Sequence, residues 1–93
     1  MHKYRIFETE EFDRALDRLD ASQAKFIETK LQKNVYPQIG QQPYFGLNIK
    51  KLRNYHPETW RYKMGRFRLF YSMDESTKTV NILTLDSRKD AYK

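Results

Sequence analysis

The stretch "WRYKMGRFRLFY", Trp60 to Tyr71, alternates apolar and basic residues on either side of one glycine, and this constrains the fold more than any other segment. Period-two alternation is the signature of a strand with two different faces. Gly65 followed by Arg66 suits a two-residue type II′ turn, because the first central position of that turn needs a positive φ. The register then follows by counting outward: Met64 opposes Phe67, Lys63 opposes Arg68, Tyr62 opposes Leu69, Arg61 opposes Phe70 and Trp60 opposes Tyr71. One face of this hairpin carries Trp60, Tyr62, Met64, Phe67, Leu69 and Tyr71, and is expected to pack on the rest of the molecule. The other carries Arg61, Lys63, Arg68 and Phe70. Like charges directly opposite one another on a sheet repel, and each cross-strand pair counts for about 0.2–1 kcal/mol. A face that gathers three cations therefore sacrifices a little stability, and an anion is the natural counterweight.

The rest of the chain supplies what the hairpin packs against. "KYRIFET" alternates Tyr4 and Ile6 with Lys3 and Arg5 and reads as a short strand. Thr9 can cap a helix whose first turn holds Glu10, Glu11 and Asp13, acids favourable at a positive helix N-terminus. Phe12, Ala15, Leu16 and Leu19 then form an amphipathic stripe. Asp20 with Gln23 marks a second N-cap, and the following helix is expected to bury Phe26, Ile27, Leu31 and Val35. "YPQIGQQPYFG" is rich in proline and glycine and reads as a loop. "LNIKKLRN" has no decisive pattern; an extended segment with Leu47, Ile49 and Leu52 inward is one reading. Strand signals follow at Trp60–Met64, Phe67–Met73 and Thr79–Leu85, the last two joined by the polar turn "DESTK". The expectation is an α+β fold of order β-α-α-β-β-β, a small antiparallel sheet packed against an N-terminal helical hairpin. With 93 residues and no linker or repeat, one domain over 1–93 is expected.

Composition narrows the chemistry. There is no cysteine, so no disulfide, thiolate nucleophile or thiolate zinc site. His2 and His56 are too few for a histidine-rich metal site, and no metal or cofactor is expected. No apolar run approaches the roughly 20 residues that span a bilayer, and no signal-peptide core is visible, so a cytoplasmic protein without a membrane partner is expected. The net charge of +6 lies wholly in residues 47–93, since residues 1–46 balance. Between Lys50 and Arg68 there are seven cations (Lys50, Lys51, Arg53, Arg61, Lys63, Arg66 and Arg68) against one acid, Glu58. Such asymmetry points to an anionic partner.

"WRYKMGRFRLFYSMD" followed by "TVNILTLDSRKDAYK" resembles the RelE/ParE toxin superfamily, and its RelE-like branch in particular. The resemblance covers nearly the whole chain. It implies a toxin of a type II toxin–antitoxin pair, a ribosome-dependent messenger-RNA endonuclease that cleaves by attack of a ribose 2′-OH on the adjacent phosphate. By the same resemblance Arg68 and Arg88 serve the scissile phosphate, and Tyr92 stacks on a base or orients a proton. Arg61 and Lys63 bind RNA and aid proton transfer. The other cations of the segment, Lys50, Lys51, Arg53 and Arg66, are candidate phosphate contacts. The implied partners are an acidic cognate antitoxin, the ribosome and messenger RNA.

The chemistry agrees with the residue types. Transesterification builds negative charge on phosphoryl oxygens, which preorganised guanidinium groups stabilise. A general base is less obvious. Crowding among Arg61 and Arg68 disfavours the charged form of Lys63, which would then accept the 2′-OH proton. Glu58 and Asp90 are the carboxylate alternatives. Some relatives place a histidine near the C-terminus, and this chain has none there; His56 reads as a loop residue. Two other readings remain open: a ParE-like toxin that poisons gyrase without cleaving RNA, and an RNA-binding module without turnover.

Overall fold

In the computed structural model, which describes residues 3–87, a mixed five-stranded sheet carries all helices on one face. Strand β1 (Arg5–Glu8) leads into α1 (Glu10–Asp17) and α2 (Ala21–Lys30). A π-helical turn (Leu31–Val35) and α3 (Tyr36–Gln41) follow, and then β2 (Ile49–Lys51), β3 (Trp60–Met64), β4 (Phe67–Asp74) and β5 (Thr79–Ser87). The strand order is β1-β5-β4-β3-β2. All neighbours are antiparallel except β1 and β5, which run parallel with Ile6 beside Val80. The expected α+β architecture is the observed one, with β2 added at an edge.

The hairpin register is the one counted from the sequence, from Met64 opposite Phe67 to Trp60 opposite Tyr71. Gly65 has φ 60 and Arg66 is not in the positive-φ region, as a type II′ turn requires. The inward face is buried: Tyr62, Met64, Phe67, Leu69 and Tyr71 join Phe12, Ile27, Leu31, Val35 and Ile39 in one core. Leu69 and Tyr71 are fully enclosed, and burial of side chains of this size stabilises by about 1.5–3 kcal/mol each. Tyrosine hydroxyls that enter the core find acceptors. Tyr62 donates to Gln38 Oε1 at 2.6 Å and Tyr71 to the Pro43 carbonyl at 2.7 Å, tying sheet to helix and loop.

Three expectations are corrected. Residues 36–41 are helical rather than loop. The N–H of Tyr36 bonds to the Leu31 carbonyl, five residues back, and this widened turn relieves the clash that the Pro37 ring would make in a regular helix. Burial of Tyr36 and Ile39 outweighs the breaker residues. Phe26, expected in the core, is 51% exposed, because α2 turns Ile27 inward instead. Leu47 is 99% exposed, lying before β2 begins, while Ile49 packs against the core.

A bulge interrupts β5. Phe70 pairs with Thr84 but Tyr71 pairs with Ile82, so Leu83 is an extra residue. Thr9, the N-cap of α1, holds this place. Its Oγ1 accepts from the Phe12 N–H at 3.2 Å and donates to the carbonyls of Ile82 and Leu83, at 2.8 and 3.0 Å.

Candidate nucleic-acid interface

Because Tyr62, Met64, Phe67 and Leu69 point into the core, alternation sends Arg61, Lys63, Arg68 and Phe70 to the sheet face away from the helices. Strand β2 pairs with β3 and adds Lys50 beside Arg61. Strand β5 adds Thr84 beside Phe70 and Asp86 beside Arg68. Two rows result across the strands: Lys50, Arg61, Phe70, Thr84, and Lys63, Arg68, Asp86. Direct neighbours in such rows have Cβ atoms about 4.5–5.5 Å apart. Lys50 and Lys63 are exposed, while Arg61 and Arg68 are half-buried. Half-burial restricts a long side chain, so these guanidinium groups are better preorganised than free surface cations.

The structure therefore brings together four of the seven cations between Lys50 and Arg68. The other three stand elsewhere. Lys51 is in register with Trp60, on the helix side, and pairs with Glu58 at 3.0 Å. Arg53 lies on the exposed loop after β2, in an open cleft that includes Tyr55 and His56. Arg66 sits on the turn with its guanidinium 5.5 Å from the Phe67 ring centroid, a cation–π contact on the helix side. Arg88, Asp90 and Tyr92 lie outside the described residues.

The carboxylates divide as well. Glu58 is held by Lys51 and by the Trp60 indole N–H at 3.3 Å, and these partners keep its carboxyl below the usual range. It faces away from the cationic rows and is not placed to serve them. Asp86 is exposed within those rows, and the sequence reading did not single it out. Its signal is hidden because strict alternation from Val80 and Ile82 would turn residue 86 inward; the bulge at Leu83 reverses the phase. Among the described residues no group of three or more His, Asp or Glu side chains could hold a metal ion, and no helix is long and apolar enough to cross a membrane.

A family model described as the ParE toxin of the type II toxin–antitoxin system parDE matches residues 6–92. This chain belongs to that toxin family. No curated protein matches it. Among solved structures, the toxin resembles a chain of the RelBE2 toxin–antitoxin complex of Mycobacterium tuberculosis, at 25% identity and TM-score 0.72, covering 95% of this chain and 94% of that one. It is also similar to a chain of the archaeal RelE–RelB complex of Pyrococcus horikoshii, at 23% identity and TM-score 0.59, covering 92% and 96%. The isolated RelE toxin of E. coli matches at 19% identity and TM-score 0.65, covering 90% and 83%. These likenesses place the toxin's strand, helical hairpin and sheet in the RelE/ParE superfamily architecture.

Proposed function

We propose that this toxin cleaves messenger RNA on the ribosome, using the outer face of β2–β5. The observation that carries the reading is the convergence of Lys50, Arg61, Lys63 and Arg68 on one sheet face. Four cations in two adjacent rows match a phosphodiester backbone, and arginine at the two half-buried positions suits bidentate contact with phosphoryl oxygens. In the reaction a ribose 2′-oxygen forms a bond to the adjacent phosphorus and the bond to the 5′-oxygen breaks. The products are a cyclic phosphate and a 5′-hydroxyl. Arg68, in the strand interior, stabilises charge on the phosphoryl oxygens. Asp86 and Lys63, its two register neighbours, are the groups of the face that take the 2′-OH proton and return one to the departing 5′-oxygen. Arg88 and Tyr92 are proposed from the resemblance of "SRKDAYK" alone.

Primer extension on translating ribosomes tests this, with wild-type toxin and Arg68→Ala. Removing one preorganised donor from such a site costs on the order of 100-fold in rate. The nuclease reading fails when wild-type toxin arrests growth but leaves message intact.

A second reading has its own support. The matching family model is that of ParE toxins, which favours the gyrase-poisoning branch over the nuclease branch. A supercoiling assay with purified gyrase decides for it if inhibition appears without RNA cleavage. Either branch implies a cognate antitoxin, with an acidic segment suited to a chain of net charge +6. Co-purification with the product of the adjacent gene checks this partner, and a toxin that purifies alone in its native operon context contradicts it.

A further inference from the structure

Phe70 lies in the middle of the cationic face, between Arg61 of β3 and Thr84 of β5, and two residues along β4 from Arg68. It is half-buried, yet among the described residues it belongs neither to the core cluster nor to the apolar side chains packed against it. A phenylalanine turned away from the core, on the wet side of a strand whose other outward residues are polar, is not explained by core packing. Its neighbours give it a use. The register flanks the ring with an arginine on one side and a small β-branched residue on the other, so one edge is basic and the other low. Two residues along a strand span about 7 Å, close to the length of one extended nucleotide. A backbone phosphate on Arg68 would thus leave the next base near the Phe70 ring.

We infer that Phe70 is a stacking platform for an unpaired base of single-stranded RNA bound across β3, β4 and β5. This rests on the nucleic-acid reading of the same face. Base–aromatic stacking tolerates every base because each has a π-face, so the platform adds affinity and positions the strand without reading sequence. The cations hold the backbone and the ring sets where along it the strand stops. The charge complement selects the occupant: four cations and one acid share the face with the ring, which suits a polyanion and disfavours an apolar peptide.

Anisotropy titrations of the full chain with a labelled single-stranded RNA, and with the same oligonucleotide carrying abasic positions, test the platform. Phe70→Leu keeps an apolar, strand-compatible side chain but no π-face, and its melting temperature reports whether the fold survives. It is expected to weaken binding of the intact RNA about five-fold or more, and to bind the abasic strand as wild type does. Phe70→Trp is expected to restore the difference between the two strands. The platform is overturned if Phe70→Leu and wild type bind intact RNA equally. Tighter binding of duplex DNA than of single-stranded RNA, insensitive to residue 70, also overturns it. A wild-type toxin that binds no RNA at low salt removes the nucleic-acid reading together with the platform, whereas insensitivity of Phe70→Leu removes the platform alone.

Discussion

At Glu75 three donors converge on one carboxylate. Lys78 Nζ lies 2.8 Å from Oε1, while the Tyr4 hydroxyl, at 2.8 Å, and the Tyr44 hydroxyl both donate to Oε2. Lys78 first, then Tyr44 and Tyr4, hold this carboxyl down to about 2. A carboxylate held below its unfolded value stabilises the fold above that value, and the contribution is lost as pH falls toward the folded one. Comparing Glu75→Gln with wild type should show this in the window between the ordinary 4.5 and about 2. Wild type is expected to melt higher than the variant at pH 5, with the gap narrowing as pH falls toward about 2. A gap that stays constant with pH would show that the ionised carboxylate adds nothing. None of this cluster was legible from sequence, because Tyr4, Tyr44 and Glu75 come from separate segments with no shared period. The hydroxyls of Tyr36 and Tyr71 are likewise structural: burial holds both neutral, with the Glu8 carboxylate reinforcing the effect at Tyr36.

Among the elements, β5 and its bulge decide most about the face. Thr9 bonds both the first turn of α1 and two carbonyls at the bulge, so one side chain joins the helix start to the strand's phase. Thr9→Ala is expected to cost about 1–2 kcal/mol in urea denaturation, with Thr9→Ser recovering most of it. A loss below a few tenths would mean that water replaces the hydroxyl at both ends. The cap itself was readable, since Thr9 precedes three acids and an apolar stripe; its link to the bulge was not. Helix α3 shows the opposite outcome. Pro37 and Gly40 carry strong local signals against helix, and the pull of Tyr36 and Ile39 into the core, with a π-helical turn to admit the proline ring, prevails. Local propensity lost to burial here because the unfavourable backbone positions are few and the buried side chains are large.

For the whole molecule, the sheet turns a sequence-wide charge asymmetry into a directional one. Binding of single-stranded RNA through four phosphate contacts should weaken with salt at a log–log slope of about −2.8, roughly 0.7 per contact. Lys50→Ala is expected to lower that slope by about 0.7, and Lys51→Ala to leave it nearly unchanged. Equal effects from the two variants would contradict the assignment of opposite sheet faces. The two lysines are adjacent in a segment whose extended state the sequence left undecided, so only pairing with β3 separates them. By itself the sequence determined the β3–β4 hairpin, its glycine turn and its two faces, because strand alternation and one φ-positive position are local properties. It also determined that the excess charge sits in the second half. Tertiary structure alone decided which cations share a surface, that Glu58 is spent on Lys51 and Trp60, and that Asp86 faces outward beside Arg68. Those outcomes depend on strand pairing and on a one-residue bulge, and a single shift of register sends every later side chain to the other face.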